Sequence, residues 1–182
     1  MQQLLERFLE FIGENKLIEP GEKILLTVSG GMDSSVMENL FSKTDFDFGL
    51  AHCNFTLRGE ESDGDEIFVA GVAGKYKMKF HTKRFDTNKF AEENKYSIQE
   101  AARILRYQWF EELSNEFNYQ KIATAHHLDD SIETFFINLL RGTGTAGLKG
   151  IGLKNGKPWK NKPSKKSRAR EKIMTNLVII LI

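Results

Sequence analysis

At residues 23–35 the chain reads KILLTVSGGMDSS, an apolar run followed by a serine, two glycines and an aspartate. Residues 36–41 then have the pattern of a helix. A strand that turns through Gly30 and Gly31 into a helix leaves unpaired backbone N–H groups facing one point, together with the positive end of the helix dipole. The pattern therefore predicts a phosphate-binding loop between the first strand of a sheet and the helix that follows it.

The loop at residues 29–35 does not match the P-loop of the common nucleoside triphosphatases, because the lysine of GxxxxGK[ST] is missing. It does match SGGxDS, and on these residues it resembles the pyrophosphate-binding loop of the N-type ATP pyrophosphatases. That resemblance implies an enzyme that breaks ATP between the α and β phosphates, transfers AMP to a substrate oxygen and releases pyrophosphate. A glycine-rich turn without a ligand is the alternative, and Asp33 counts against it by adding a metal-type carboxylate at the helix start.

Helix-like and strand-like segments alternate along the first 140 residues. Helices are predicted near residues 4–13, 36–41, 65–76, 97–117 and 128–140. Strands are predicted near residues 23–28, 48–54, 79–85 and 119–125. This order predicts an α/β fold with a doubly wound, mostly parallel sheet, helices on both faces and ligands at the carboxyl ends of the strands.

Polar residues are concentrated where the predicted strands end. Besides the loop, they form HCNFTLRGEES at residues 52–62 and ATAHHLDDSIET at residues 123–134. Asp130 and Glu133 share one face of a predicted helix, where they could hold Mg²⁺ on a phosphate or bind an ammonium group. Ordinary helix-start acids, favoured by the helix dipole, are the alternative for this pair.

Two further groups carry weaker signals of their own. Arg103 and Arg106 share a helical face, and their guanidinium forks suit phosphate oxygens, although such arginines often form only a solvated face. His126 and His127 are adjacent, whereas a metal pair on a helix needs a spacing of four residues and further ligands nearby.

The combination of motifs is more specific than its parts. HxNxxLRGxES, ARxxRYxWF, AxAHHxDDxxET and the glycine-rich RGTGTAGLKG at residues 141–150 follow one another in a single order. In this combination residues 23–150 resemble the catalytic domain of the bacterial tRNA(Ile)-lysidine synthetases, which implies an adenine nucleotide alpha hydrolase-like fold. The implied reaction adenylates the wobble cytidine of an isoleucine tRNA with a CAU anticodon, using ATP, and free L-lysine then displaces AMP to form lysidine.

The same resemblance implies which residues form the site. ATP would be bound by Ser29, Gly30, Gly31, Met32, Asp33, Ser34, Ser35 and Arg103. Catalytic roles would fall to Asp33, Arg106, His126, Asp130 and Glu133. Within this set Asp33 and Asp130 would hold Mg²⁺, Arg106 would contact the phosphates, His126 would lie near the adenylate, and Asp130 with Glu133 would orient the lysine amine.

Three alternatives stay open. A related tRNA thiolase is disfavoured because such enzymes usually use paired cysteines or a persulfide chain, whereas Cys53 is the only cysteine and is interpreted as a small buried residue. Amide-forming relatives that adenylate a carboxylate share the loop but generally lack the HHxDDxxET and RGxGxxGL runs. A truncated nucleotide-binding remnant without full activity is the third, since the further tRNA-binding domains of the resembled family are not recognisable in this chain.

The composition predicts one catalytic domain at residues 1–153 and an atypical basic tail at residues 154–182. Residues 154–172 carry nine Lys or Arg against one acid, while the first 153 residues carry 17 basic and 24 acidic groups, a net charge of −7. Because phosphate contacts dominate nucleic-acid affinity, a tRNA should be bound by local basic patches or by the tail. The apolar run at residues 177–182 is β-prone and should need packing or pairing.

Location and assembly are predicted only coarsely. The chain has no apolar run near the ~18–20 residues that a membrane span needs, and its N-terminus lacks the pattern of a signal peptide. We therefore expect a cytoplasmic protein without membrane contact. The sequence neither requires nor excludes a homodimer.

Overall fold

The computed structural model describes residues 2–126, 154–155 and 177–181. Its helices are α1 (Gln2–Glu14), α2 (Met32–Phe41), α3 (Glu60–Lys75), α4 (Thr87–Asn94) and α5 (Ile98–Phe117). Its strands are β1 (Lys23–Thr27), β2 (Asp47–Asn54), β3 (Lys79–Arg84), β4 (Lys121–His126), β5 (Lys154–Asn155) and β6 (Leu177–Leu181). In the part of the chain that is described, no helix combines the length and the apolar character needed to cross a membrane.

The strands form one sheet in the order β3-β2-β1-β4-β6-β5. All neighbours are parallel except β5 and β6, which are antiparallel. Leu26 at the centre of the sheet lies between Leu50 of β2 and Ala123 of β4. Because parallel strands all end at one edge, the segments that follow β1 and β2 leave the sheet at the edge where β4 also ends.

Helices cover both faces of the sheet. Side chains alternate along a strand, so Ile24 and Leu26 point to one face of β1 and Leu25 to the other. On the first face they pack with the apolar sides of α1, α2 and α3, chiefly Phe8, Ile12, Met37, Phe41 and Val69. On the second face Leu25 packs with residues of α5, namely Trp109, Phe110 and Leu113. The prediction of a doubly wound, mostly parallel sheet is confirmed.

One helix begins earlier than the sequence predicts, and a second helix was not predicted. Helix α3 begins at Glu60 rather than near residue 65, because Glu60, Glu61 and Asp63 form an acidic first turn that suits the helix dipole. Helix α4 has no apolar period and was not predicted; the Asp86 side chain caps it by accepting a bond from the Lys89 N–H at 3.1 Å. Side-chain caps of this kind can start a short helix that hydrophobic periodicity does not show.

The apolar run near the end of the chain pairs with the central part of the sheet. Strand β6 lies parallel to β4, with Ile122 opposite Leu177 and His126 opposite Leu181. Strand β4 pairs with all five residues of β6 and β5 with the first two, so the apolar run has the pairing that the sequence predicts it should need. The helix predicted at residues 128–140 lies outside the described residues, and the domain boundary at residue 153 stays a prediction.

Candidate functional site

The predicted phosphate loop connects β1 to α2 at the carboxyl edge of the sheet. Gly30 has a φ of +92°, a left-handed conformation that L side chains adopt only with strain. Gly31 precedes α2 with an extended backbone (φ −77°, ψ 170°) and makes no side-chain cap. The residue before α2 thus offers no side chain to cap the first N–H groups of the helix. This end of the helix therefore suits an anion.

Serine side chains brace this loop from within. The buried hydroxyl of Ser34 donates to the Gly31 carbonyl at 2.9 Å and accepts from the Ser29 N–H at 3.2 Å. The Ser29 hydroxyl accepts from the Gly31 N–H at 3.3 Å, and Ser35 also donates to the Gly31 carbonyl at 2.9 Å. In this structure the serines thus hold the shape of the cradle, while the neighbouring Met32 side chain is 82% exposed.

His52 fixes the strand end that leads into the loop. Its side chain is 3% exposed, and Nδ1 lies 2.8 Å from the carbonyl oxygen of Val28, the residue just before Ser29. A carbonyl oxygen only accepts, so the proton must sit on Nδ1. Sequence reasoning assigned His52 no role, although a histidine that interrupts an apolar strand beside the loop is a usable signal.

Asn54 ties the end of β2 to the start of α3. Its side chain is 1% exposed, and Nδ2 donates to Asp63 Oδ1 at 3.0 Å and to Glu66 Oε2 at 2.8 Å. The Asn54 side-chain oxygen accepts from the Thr56 N–H at 2.9 Å. One buried amide therefore orients both the polar segment after β2 and the acidic first turns of α3.

Two arginines form ion pairs with four acids of α3. Arg84 Nε lies 2.9 Å from Glu66 Oε2, and Arg84 Nη2 lies 3.1 Å from Asp63 Oδ1. Burial alone would raise the pKa of Glu66, but bonds from Asn54 and Thr82 and the charge of Arg84 outweigh it, so this pKa lies below its usual range. Arg58 pairs with Asp65 at 2.8 Å and also with Glu61. These acids are therefore held as paired carboxylates.

Asp65 brings this charged segment into direct contact with the phosphate loop. A Cβ placed on Gly30 would lie 2.8 Å from Asp65 Oδ1 and 3.0 Å from Asp65 Cβ. Only glycine fits at this position, both because of its φ and because Asp65 occupies the adjacent space. By contrast, a Cβ on Gly31 would meet nothing closer than Ser29 Oγ at 3.4 Å, an ordinary contact.

The predicted arginines lie on α5, on the face of the sheet opposite α2. The Arg106 guanidinium lies 5.2 Å from the ring centre of Phe55, which follows the carboxyl end of β2. The Arg103 guanidinium lies 5.9 Å from the ring centre of Tyr107. The structure therefore brings Arg106 to the edge of the sheet that carries the loop, and a phosphate contact for either arginine stays a prediction.

Cys53 is half-buried and packs against the apolar cluster that contains Leu25 and Trp109. Burial raises the pKa of its thiol to about 12, against the smaller opposing effects of Arg106 and Lys83. A thiol that stays protonated at neutral pH is a poor nucleophile. This environment agrees with the interpretation of Cys53 as a packing residue.

Of the remaining predicted residues, only Asp33 has a described side chain. His126 ends β4, where only its backbone is described, and Asp130 and Glu133 lie outside the described residues. Asp33 lies in the first turn of α2 with a partly exposed side chain. Within residues 2–126 and the two short strands, no three His, Cys, Asp or Glu side chains gather as a metal site. A carboxylate beside an open anion cradle still has the donor chemistry that Mg²⁺ prefers, so Asp33 fits half of the predicted metal pair.

Comparison with known proteins identifies relatives of this arrangement. A family profile described as PP-loop domain matches residues 1–177. The chain is 44% identical over 160 residues to the tRNA(Ile)-lysidine synthase of Chlorobaculum tepidum, covering 86% of this chain and 48% of that protein. It is 44% identical over 151 residues to that of Bacteroides thetaiotaomicron, covering 83% and 35%. The chain thus spans half or less of the length of these curated relatives, and the resemblance read from its motifs is confirmed.

Solved structures share the fold at low sequence identity. The U34-tRNA thiolase NcsA from Methanococcus maripaludis, with its [4Fe-4S] cluster, has a TM-score of 0.65 at 17% identity, covering 80% of this chain and 52% of that chain. An NH3-dependent NAD synthetase from Campylobacter jejuni has a TM-score of 0.57 at 13% identity, covering 74% and 59%. These likenesses support the predicted α/β fold.

Proposed function

The chain belongs to the PP-loop domain family, and from this premise we propose that it is the catalytic part of a tRNA(Ile)-lysidine synthase. The observation that carries the proposal is the glycine cradle at residues 29–31 in front of α2, in a chain 44% identical to enzymes of that name. Its substrates would be ATP, free L-lysine and an isoleucine tRNA with a CAU anticodon. All three are cytoplasmic, so we expect the protein there.

The first step is attack of the cytidine 2-oxygen on the α-phosphorus of ATP. The bond to the bridging oxygen of the β-phosphate breaks, and pyrophosphate leaves with the electron pair. The N–H groups at the open start of α2 would stabilise the charge that grows on this leaving group. Asp33, with Asp130, would hold Mg²⁺, which when bound neutralises phosphate charge.

The second step is attack of the lysine amine on carbon 2 of the cytidine. The lysine ammonium first gives up one proton and attacks, AMP leaves with the former 2-oxygen and the electron pair of the C–O bond, and the new C–N nitrogen releases a second proton to solvent. We assign Asp130 and Glu133 to binding and orienting this amine, and His126 to the region of the adenylate. Arg106 and Arg103 would contact the phosphates of the nucleotide, because planar guanidinium groups bind such oxygens in pairs.

The test is the identity of the products. The chain is incubated with ATP, radiolabelled L-lysine and an isoleucine tRNA with a CAU anticodon, beside the full-length Chlorobaculum tepidum enzyme as positive control. We expect label in the tRNA and release of AMP and pyrophosphate. Release of ADP, or ATP binding without any labelled tRNA while the control is active, would contradict the proposal for this chain; the second result would favour a nucleotide-binding remnant.

A tRNA thiolase is the second candidate, favoured by the fold shared with the thiolase NcsA. The cysteine content argues against it: clusters of the type in that structure are held by several thiolates, whereas Cys53 is the only cysteine of these 182 residues. Its pKa of about 12 also disfavours a thiolate. Transfer of label from a sulfur donor to the tRNA would reverse this ranking.

A further inference from the structure

One ion pair joins the segment after β2 to the phosphate loop. Arg58 Nη2 lies 2.8 Å from Asp65 Oδ2, and the other terminal nitrogen of the same guanidinium bonds Glu61. The Arg58 backbone N–H also donates to the Ser62 hydroxyl at 3.2 Å. Arg58 is therefore held at three points on the first two turns of α3, and its orientation is set by the fold.

The other member of the pair forms part of the wall of the cradle. Asp65 packs against Gly30, leaving no space for a Cβ, and its side chain is only 27% exposed. Gly30 has the left-handed φ of +92° that gives the loop its turn. A side chain pressed against such a glycine limits the conformations that the glycine can otherwise adopt freely.

The same contact places a negative charge beside a site for a polyanion. An unpaired carboxylate within several ångströms of a phosphate would weaken its binding by ~10-fold or more at the effective dielectric constant near a protein surface. The Arg58 guanidinium offsets part of that charge without displacing Asp65, although it is shared with Glu61. The pair thus supports the loop and lowers the negative charge beside it.

We propose that Arg58 and Asp65 are positioning residues for nucleotide binding: Asp65 holds Gly30 in its turn, and Arg58 offsets the negative charge that Asp65 brings to the phosphate loop. This inference rests on the proposed function, because the anion is taken to be the polyphosphate of ATP. It adds Arg58 of the LRGxES run, and Asp65 three residues beyond that run, to the phosphate site.

The test is a double-mutant cycle in which ATP binding and pyrophosphate binding are measured by calorimetry. Arg58→Gln leaves the carboxylate unpaired and should weaken both ligands ~10-fold, with a smaller loss at high salt because the cause is a charge. Asp65→Asn alone should change affinity by less than ~3-fold, and the double variant should recover to within ~3-fold of the parent. Arg58→Lys, which keeps the charge, should also bind within ~3-fold of the parent.

A second measurement follows the support of the loop without any nucleotide. Asp65→Ala should speed amide hydrogen exchange in residues 29–35 by ~10-fold, because a packed group is lost. The matched control is the Lys83–Glu112 pair, 3.0 Å apart and joining β3 to α5, where Lys83→Gln with Glu112→Gln should change neither measurement.

Three results would overturn the inference. Loss of ATP binding in Arg58→Gln that Asp65→Asn does not rescue would mean that Arg58 contacts phosphate directly. A loss independent of salt, with a lower melting temperature in every variant, would mean a purely structural role. Absence of ATP and pyrophosphate binding in the parent chain would refute the proposed function and this inference with it. If the parent binds both ligands but the double variant does not recover, the inference alone is refuted.

Discussion

The phosphate loop and the segment after β2 lie at the same edge of the sheet but are held in different ways. The loop is braced by its own neighbours, as Ser34 bonds to Ser29 and Gly31 within five residues. The segment after β2 depends on partners farther along the chain, such as Thr87, whose hydroxyl donates to the Phe55 carbonyl 32 residues away. The phosphate loop thus depends on local sequence, whereas the segment after β2 depends on tertiary packing.

This difference predicts two kinds of mutational effect. Changes in the loop should reduce ligand binding or turnover while the fold persists, because few long-range contacts pass through it. Changes at the buried polar residues of the segment after β2, such as Asn54, should reduce the free energy of unfolding, because buried polar groups lose partners.

The largest effect is expected at Asp33. Asp33→Ala should lower turnover ~10²-fold or more, the scale seen when one preorganised electrostatic group is removed, because its carboxylate would act on the charge of the reacting phosphates. Melting temperature should hardly change. Steady-state kinetics of AMP release measure the effect, and Asp45→Ala, an exposed acid in the α2–β2 connection, is the control; equal rates for the two variants would remove Asp33 from the site.

Gly30 and Gly31 provide the sharpest contrast within the loop. Gly30→Ala imposes a left-handed residue and a clash with Asp65, so about 1–3 kcal/mol of strain should appear as ~10- to 100-fold weaker ATP binding. Gly31→Ala meets only an ordinary contact and should bind ATP within ~3-fold of the parent. Calorimetry on both variants decides the matter, and similar losses at both positions would contradict the left-handed turn.

The next prediction concerns Asn54, which ends β2 and bonds the segment that follows it. Asn54→Ala removes the buried donor to Asp63 and Glu66. Because a hydrogen bond to a charged group is worth about 1.5–3 kcal/mol, the free energy of unfolding should fall by at least the value of one such bond. Urea denaturation measures the loss. Asn94→Ala, in an exposed turn of α4, serves as the control, and an unchanged urea midpoint for Asn54→Ala would show that the network contributes nothing to stability.

The smallest effect is a pH dependence at Glu38 in the core beneath the loop. Its side chain is 5% exposed, and among the described residues its Oε1 has no hydrogen-bond partner. Burial raises the pKa of Glu38 above 4.5, against the opposing charge of Lys75, so its contribution to stability is present below the unfolded pKa and is lost as pH rises through the folded pKa.

Glu38→Gln should therefore flatten the dependence of stability on pH and raise the urea midpoint near neutral pH relative to the parent. Urea midpoints at pH 5 and pH 7.5 measure this. Glu10→Gln, on the exposed side of α1, should leave the difference between the two midpoints as in the parent. If Glu38→Gln kept the parent's pH dependence, burial would not raise the free energy of ionising Glu38.

Much of the fold followed from short-range patterns. The apolar run before Ser29 marked β1, the alternating segments marked the parallel sheet, and the pair Ser97 and Glu100 marked the start of α5, where the Ser97 hydroxyl accepts from the Glu100 N–H at 3.2 Å. Helix α4 was missed because only Phe90 and Ala91 of its eight residues are apolar, and two adjacent residues show no helical period.

Sequence by itself determined the cradle: SGGMDSS after an apolar strand encodes its own turn, its internal hydroxyl bonds and its family, because all of these depend on residues within a few positions of one another. Only the tertiary structure decided that His52 bonds the Val28 carbonyl, that Asp65 supports Gly30 and that β6 joins β4. These contacts join residues 24 or more positions apart. Neither helical nor strand periodicity specifies which distant side chains meet, since that depends on how the helices pack on the sheet.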